Sequence, residues 1–410
     1  MVDPVFRWST GVGIQKRKEL IAAFQRGDAD WPKILVGFCG VKEIPNGRDL
    51  RGINLSGIDF HGVQLERVHF EGSNLSGCQF QSASLKYTIF RNTDLSSCDL
   101  SQADVSGADF QGSNLNHTKC IELVAKGARF SDCRLENTDF SRANLSGADL
   151  RNAILGASNF TGVNANFASL SGIQADGLDG HGGSFKKSNW FKAQLSGANL
   201  SETRFTEANL SSIKAVGSDF SKADLSRAKL SEANLSESKF MSIIGEQVNF
   251  STSMISGANF TSASLQNAVF NNAYSSSPVC FQSIHATGCS FKNAILEQCD
   301  FSHSNLQETI LSEANLAKSL FRGCILKKAA CIQTNMKEAD LTEADFGEAA
   351  LFETNMRTSN MSRAHFESTA LSGEMVFGSN IEGAILPPEF ALYIEQAQTV
   401  GTPVYASATN

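Results

Sequence analysis

Seven histidines are the first residues to consider for catalysis, because imidazole is the side chain best suited to proton transfer near neutral pH. They are His61, His69, His117, His181, His285, His303 and His365. None has a serine, cysteine or carboxylate at a spacing typical of a catalytic site, and the sequence contains no phosphate-binding loop or metal motif. The pattern predicts a protein that is not an enzyme and uses no cofactor.

One glycine-rich stretch, "QADGLDGHGGSF" at residues 174–185, holds side chains that could bind a cation. They are Asp176, Asp179 and His181. The competing interpretation is a kinked and weakly packed segment, because glycine allows tight turns and positive φ. We favour the kinked segment and predict no metal site.

The cellular compartment is indicated by cysteines and by one recurring tripeptide. Ten cysteines lack disulfide or zinc spacing, and the N-terminus lacks the apolar run of a signal peptide. No stretch approaches the roughly 18 apolar residues of a membrane span. The tripeptide "NLS", a glycosylation acceptor in a secretory pathway, recurs at Asn54, Asn74, Asn144, Asn199, Asn209 and Asn234. We therefore expect a cytoplasmic protein that does not associate with membranes.

A five-residue repeat must position all of these side chains. Its large residue, called the centre below, is Leu or Phe in about three quarters of the repeats and recurs at every fifth position from Leu50. Two residues before each centre is a small residue, called the small site, as at Ala108, Ala143 and Ala148. Six cysteines also occupy small sites, where a thiol serves as an apolar filler: Cys78, Cys98, Cys133, Cys289, Cys299 and Cys324.

A period of five matches neither an α-helix nor an extended strand, so each repeat must contain a corner. Phe recurs at multiples of ten, which fits a four-sided coil with Phe on two opposite sides. One coil cannot bury its own centres, so successive coils must stack.

The repeats "SGANLSE", "SRANLSGADL" and "KEADLTEADF" resemble those of the pentapeptide-repeat family. The resemblance covers residues 48–386 and implies an all-β fold, a right-handed quadrilateral β-helix with four repeats in each coil. About 68 repeats would make about 17 coils, and at ~4.8 Å per coil the rod would be ~80 Å long.

Two segments flank the predicted β-helix, and a second irregularity interrupts it. Residues 1–47 are expected to form a small, partly helical N-terminal cap, with Leu20, Ile21 and Phe24 on one helix face; the alternative is a separate partner-binding module. Residues 387–410 should contain a short helix in which Phe390, Ile394 and Ala397 form capping or dimer contacts, and the family resemblance implies a homodimer through this end. The repeat register shifts by one residue within 271–281, which predicts a bulge or small surface loop; the alternative is a recognition loop.

Acidic residues define the candidate partner surface. Asp59, Asp99, Asp139, Asp179 and Asp219 recur at every eighth repeat, and a second group comprises Glu338, Asp340, Glu343, Asp345, Glu348 and Glu353. Quinolone-resistance members of the family resemble B-DNA in width and charge and bind DNA gyrase or topoisomerase IV. The resemblance therefore implies, as one hypothesis, a DNA mimic that modulates a type II topoisomerase.

Charge and loops favour a different function. DNA carries one charge per ~1.7 Å, so ~80 Å of duplex carries on the order of 47 charges, whereas this chain has a net charge of -7. The long loops of the gyrase-protecting relatives have no counterpart here. The acidic balance also argues against direct nucleic-acid binding. We favour a non-catalytic, rod-like scaffold whose partners are proteins, with DNA mimicry as the alternative.

Overall fold

The computed structural model describes residues 4–38 and 48–399, and in residues 395–399 it describes only the backbone. The chain forms two compact units, Met1–Arg204 and Phe205–Asn410. The first unit contains 3-10 helices at Phe6–Ser9 and Trp31–Leu35, helix α1 at Gly11–Gln25, and strands β1 at Arg48–Asp49 and β2 at Val68–His69. The second contains helix α2 at Pro388–Thr399.

Helix α1 is delimited by local signals at both of its ends. The Thr10 hydroxyl accepts the Gly13 N–H at 3.0 Å, which satisfies one of the free donors of the first turn. The helix stops just before Gly27, whose φ of 67° is left-handed. Leu20 and Phe24 are buried, in agreement with the predicted face, while Ile21 is half-buried.

Each unit is built from coils that close after every fourth repeat. Strands β1 and β2 pair in parallel with Arg48 opposite Val68, and isolated parallel bridges continue this spacing through the repeats. At each bridge, backbone N–H and carbonyl groups of neighbouring coils form hydrogen bonds that run along the coil axis. For example, the Leu145 N–H bonds to the Asn164 carbonyl at 2.7 Å. Because the bridged residues lie four repeats apart, each coil has four sides, and the repeats form an all-β solenoid.

The corner of each repeat requires a left-handed residue two positions after the centre. Glycine occupies many of these positions, as at Gly147 with φ 66°. Non-glycine residues occupy many others, as at Glu207 with φ 59°. Since an L-residue pays about 1–2 kcal/mol for this conformation, coil stacking must offset a steric cost at these corners.

Phenylalanines at the centres stack along the coil axis within each unit. The rings of Phe90 and Phe110 lie 4.7 Å apart with an interplanar angle of 11°. Phenylalanines two repeats apart come from opposite sides and meet edge to face, as Phe130 and Phe140 do at 5.9 Å. The predicted distribution of Phe over opposite sides therefore describes the core.

The glycine-rich stretch 174–185 keeps the regular bridges, because Asn159 pairs with Asp179 and Asn164 with Ser184. A large buried side chain is still present, but it lies at the small site instead of the centre. Leu178 is fully buried at the small site, while a Cβ on the centre Gly180 would lie 2.9 Å from Leu200 Cδ2. The prediction of a kinked, weakly packed segment is therefore wrong, since Leu178, two residues before the centre, supplies the large buried side chain in place of Gly180.

The same exchange recurs at other centres that are Ala or Gly. A large aliphatic residue then occupies the preceding small site, and its side chain is buried. The pairs are Leu123 with Ala125, Val163 with Ala165, Ile173 with Ala175, Leu178 with Gly180, Ile213 with Ala215, Ile243 with Gly245 and Ile284 with Ala286. The exchange conserves core volume, which buried packing tolerates best.

The register shift at 271–281 lies within one corner of the second unit. Four successive bridges, from Asn259 with Cys280 to Tyr274 with Ile295, each enclose one residue more than a regular coil does. The regular spacing returns at the bridge between Cys280 and Asp300. The Ser275 N–H bonds to the Ile295 carbonyl at 3.0 Å, so pairing continues up to the extra residue. The structure thus accommodates the insertion as a wider corner.

Candidate functional site

Four of the five aspartates in the predicted row share one bridge column, meaning residues joined by successive bridges. In the first unit this column runs Asp59, Gln79, Asp99, Lys119, Asp139, Asn159, Asp179 and Asn199. Carboxylates occupy alternate coils, roughly 9.6 Å apart at the usual strand spacing, with neutral or cationic residues between them. The structure therefore brings these four aspartates together as an interrupted row, called the aspartate column below.

The aspartates also have a local structural function. Asp59 Oδ1 accepts the His61 N–H at 2.9 Å, and Asp139 Oδ1 accepts the Ser141 N–H at 2.9 Å. This bond to the residue two positions later is an Asx turn, which stabilises a corner. Asp219, in the second unit, makes the same bond to Ser221 at 2.8 Å and has Lys239 Nζ at 3.7 Å.

The six acidic residues at 338–353, called the acidic coil below, do not form one surface. They extend over most of a single coil, so successive repeats place them on successive sides. Their bridge partners differ accordingly: Asp340 pairs with Leu320 and Asn360, whereas Asp345 pairs with Ile325 and His365. Sequence proximity therefore overstated their clustering in space.

Each carboxylate of the acidic coil has a partner. The pairs are Glu338 with Lys337 at 3.3 Å, Asp340 with Arg322 at 2.6 Å, Glu343 with Arg363 at 2.8 Å, Asp345 with Lys327 at 3.2 Å, Glu348 with Lys328 at 3.9 Å and Glu353 with Gln333 at 2.7 Å. Burial raises the pKa of Asp340, but hydrogen bonds from Thr342 and Arg322 outweigh it and hold that pKa below its usual value. The acidic coil is largely neutralised by its own neighbours.

The C-terminal helix packs on the last coil. Phe390 and Ile394 are buried, so these two predicted contacts lie against the chain itself. Leu392 and Tyr393 are about half-exposed, at 55% and 48%. The side chain of Ala397, the third predicted contact, lies outside the described part of the structure.

Beside this helix, one side of the last complete coil lacks its usual pairing. In the regular pattern the Leu351 N–H would bond to the Ala370 carbonyl and the Ala370 N–H to the Ala349 carbonyl. Neither bond is present among the described residues, and the Glu353 N–H also has no partner there. Pairing resumes at Met356, whose N–H bonds to the Met375 carbonyl at 2.8 Å. We call residues 349–353 the open edge.

A groove of 680 Å³ lies between the open edge and residues 370–375. Its apolar lining includes Ile332, Phe352, Leu371 and Met375, and Phe352 is 67% exposed. The volume is in the range of ligand pockets. The centres in this stretch follow the repeat without interruption, which is why the centre pattern missed the groove. The available signal was Glu374, a charged residue at a small site.

Sequence reasoning also missed an ion pair that joins the N-terminal segment to the first coil. Arg7 and Asp49 are both almost fully buried, with Arg7 Nη2 2.9 Å from Asp49 Oδ1. Burial raises the pKa of Asp49, but hydrogen bonds from Arg51 and Arg7 outweigh this and hold the pKa far below its usual range. Trp8 Nε1 also donates to the Arg51 carbonyl at 2.8 Å.

The polar side chains of 174–185 bond to protein groups. Asp176 Oδ1 accepts the Ser196 N–H at 2.7 Å, and His181 Nδ1 lies 2.9 Å from the Ser201 hydroxyl. Among the described side chains, in residues 4–38 and 48–394, no group of three His, Cys, Asp or Glu could hold a metal ion.

Two family models match the repeats of this chain. A model described as a pentapeptide repeat region matches residues 49–120 and 183–260. A model of eight pentapeptide repeats matches overlapping segments within 122–173 and 287–373. This chain belongs to the pentapeptide-repeat family.

Solved structures of other pentapeptide-repeat proteins are similar to this one. HetL, involved in heterocyst differentiation regulation in the cyanobacterium Nostoc sp. strain PCC 7120, has 22% identity, with 56% of this chain and 88% of HetL covered at a TM-score of 0.26. QnrB1, a plasmid-mediated fluoroquinolone resistance protein, has 22% identity, with 50% and 96% covered at a TM-score of 0.24. A pentapeptide-repeat protein of the Arabidopsis thaliana thylakoid lumen has 22% identity, with 37% and 68% covered at a TM-score of 0.12.

No curated protein matches this pentapeptide-repeat chain in sequence. Among the described residues, none of the helices has the length and apolar character needed to traverse a lipid bilayer.

Proposed function

We propose that this pentapeptide-repeat protein is a non-catalytic scaffold that binds other proteins. The observation that carries the proposal is the exposure of large apolar side chains at outward positions that the coil does not need for its core. Examples are Tyr87, Phe167, Ile295 and Phe352, which are 57%, 66%, 53% and 67% exposed. Aromatic side chains are enriched at protein interfaces, and a few such residues often contribute most of the binding energy.

Affinity purification with the full chain tests this proposal. Partners captured from a lysate are purified and bound to the chain in a two-component titration, so that indirect contacts are excluded. We expect at least one partner to bind directly and to lose affinity with Phe167→Glu or Phe352→Glu. The absence of any direct partner, or binding that neither variant nor Ile295→Glu affects, contradicts the scaffold function.

A second candidate is a DNA-mimicking modulator of DNA gyrase or topoisomerase IV. The aspartate column supports it, because it places carboxylates along one side of the first unit. The Asx turns, the intervening Lys119 and the neutralised acidic coil count against it. A supercoiling assay separates the two functions: a mimic inhibits gyrase, and Asp→Asn changes at residues 59, 99, 139 and 179 abolish the inhibition. Asn keeps the corner hydrogen bond while removing the charge, so a loss of inhibition reports charge rather than misfolding.

The remaining features of the proposal have separate support. The nine described cysteines are free, which suits a reducing, cytoplasmic location. The family resemblance supports right-handed coils, and the repeat number supports about 17 of them. The packing of α2 on the last coil and of the N-terminal segment on the first supports capping of both ends.

A homodimer through α2 would use the exposed Leu392 and Tyr393, and sedimentation of a Tyr393→Glu variant tests it.

A further inference from the structure

Within the described part of the chain, the open edge at residues 349–353 has the unpaired backbone groups of an edge strand. Ala350 pairs on one side with the preceding coil: its N–H bonds to the Ala329 carbonyl at 2.9 Å, and its carbonyl accepts the Cys331 N–H at 2.8 Å. On its other side, the flanking Ala349 carbonyl and Leu351 N–H have no backbone partner among the described residues. The two groups that a further parallel strand would bond are therefore free.

We propose that the open edge binds an extended polypeptide segment of a partner protein, which adds to it as a parallel β-strand. The inference rests on the proposed scaffold function and names the site and the kind of partner. One ligand residue opposite Ala350 would donate its N–H to the Ala349 carbonyl and accept the Leu351 N–H. The carbonyl two residues later would accept the Glu353 N–H, as the Phe352 carbonyl accepts the Gln333 N–H at 2.9 Å in the preceding coil.

Burial makes this pairing favourable. Leu351 is only 2% exposed, so its N–H has limited access to water. A buried backbone donor without a partner is destabilising, and a bound strand would supply that partner. Strand addition to an exposed edge is an established mode of peptide recognition, in which backbone bonds supply affinity and side-chain pockets supply specificity.

The groove specifies the side chains of the ligand. Phe352 and Ile332 occupy the same position on neighbouring coils, and they are 67% and 39% exposed. Leu371 and Met375 line the groove as well. Because alternate residues of a strand face the same side, the ligand needs apolar side chains at every second position.

Charge at the groove adds a preference for a basic residue. Glu353 and Glu374 both line it, together with a single cation, Arg357. The Arg357 Nε donates to the Glu374 carbonyl at 2.9 Å, which holds the guanidinium at the backbone of residue 374. The two carboxylates exceed the one cation, so a Lys or Arg beside the apolar positions of the ligand is favoured. The occupant is thus an extended, alternating apolar segment with a flanking basic residue.

A synthetic peptide with the sequence Lys-Val-Thr-Val-Thr-Val-Lys provides a direct probe of this site. The full chain is titrated against the labelled peptide by fluorescence anisotropy, and hydrogen exchange of residues 349–354 is followed by mass spectrometry. We expect saturable binding and at least tenfold slower exchange at the open edge when the peptide is bound. A peptide with Pro in place of its three Val residues, which lacks those amide donors, should not bind.

Matched variants distinguish peptide binding in the groove from non-specific binding to exposed apolar side chains. Phe352→Glu should weaken peptide binding at least tenfold, whereas Ile244→Glu, at an outward position that is 54% exposed, should leave it unchanged. Equal loss in both variants, binding of the proline peptide, or unchanged exchange at the open edge overturns the proposal. Slow hydrogen exchange at the open edge of the free chain also overturns the proposal. If that slow exchange depends on protein concentration, a second copy of the chain covers the edge. If it is lost on deletion of residues 400–410, the chain's own C-terminal tail covers the edge.

This experiment can fail independently of the scaffold function. If the peptide does not bind but a purified partner still does, and Phe352→Glu leaves that partner's affinity unchanged, the groove assignment is wrong and the scaffold function stands. If no partner binds anywhere on the chain but the peptide protects the open edge, the groove assignment stands and the broader scaffold function is wrong.

Discussion

Arg7 and Asp49 form a buried, two-pronged ion pair that ties the N-terminal segment to the first coil. Nη2 lies 2.9 Å from Oδ1, and Nη1 donates to Oδ2 at 3.2 Å. Arg7 Nη2 also donates to the Asp49 carbonyl at 3.1 Å. One guanidinium thus holds both the side chain and the backbone of the residue from which the coil begins.

Replacement of Arg7 by Met should destabilise the first unit. The change leaves buried Asp49 with its Arg51 ion pair but removes the Arg7 hydrogen bonds, and a hydrogen bond to a charged group contributes about 1.5–3 kcal/mol. Urea denaturation with hydrogen exchange over residues 6–38 measures the loss. Lys33→Met is the control, because the Lys33–Asp30 pair is exposed and should contribute little. Equal effects of the two changes would contradict the anchoring function of Arg7.

The same pair predicts acid sensitivity. Asp49 has a pKa below its usual range in the folded protein, so it binds a proton more readily when unfolded. Its contribution to stability is therefore fully present above the unfolded pKa of about 3.9 and is lost as the pH falls below that value. Unfolding free energies measured from pH 7 to pH 3 should fall less steeply in Arg7→Met than in the natural protein. Parallel pH profiles would show that Arg7 does not lower the pKa of Asp49.

The exchange between Leu178 and Gly180 can be tested by a double-mutant cycle. Leu178→Ala alone should cost about 2–5 kcal/mol by leaving a cavity. Gly180→Leu alone should cost about 1–3 kcal/mol by overpacking, because a Cβ there already lies 2.9 Å from Leu200. The double variant restores the common pattern of a small site followed by Leu, and we expect it to be more stable than the sum of the single changes. Additive losses would show that the two positions do not share one volume.

Corner geometry predicts different outcomes at two glycines. Gly147 has φ 66° and Gly156 has no positive φ, and neither would bring an added Cβ within 4 Å of another group. Gly147→Ala should therefore cost about 1–2 kcal/mol from left-handed strain alone, whereas Gly156→Ala should be neutral or slightly stabilising. Thermal unfolding of the two variants provides the comparison, and a loss of equal size at Gly156 would remove backbone conformation as the cause.

Cysteine labelling tests the packing of the small sites. Burial raises the pKa of the Cys78 thiol to about 12, so almost no thiolate is present at pH 8. Cys280 is only half-buried. A maleimide at pH 8 should modify Cys280 before Cys78, and Cys78 should react only after denaturation. Peptide mapping by mass spectrometry measures both rates, and rapid labelling of native Cys78 would contradict its placement in the core.

Much of the fold could be predicted because the repeat encodes it locally. A large centre in every repeat determines which side chains face inward, and Phe at multiples of ten places rings on opposite sides, as Phe130 and Phe140 confirm. The prediction for residues 174–185 failed because it did not count the large residues at the small sites that precede Ala175 and Gly180. Gly180 looks like a defect until Leu178, two residues earlier, is counted as part of the same volume.

The family, the corner in each repeat and the inward-facing core can be predicted from the amino-acid sequence, because each of these depends on residues only a few positions apart. Three-dimensional coordinates are needed to see which acids share a side, how Arg7 reaches Asp49 and where the open edge lies. These features depend on groups separated by a whole coil or more of chain and on the path of the following coil. A free N–H at Leu351 cannot be read from Leu351, because its usual partner belongs to residue 370, where the chain leaves the regular path.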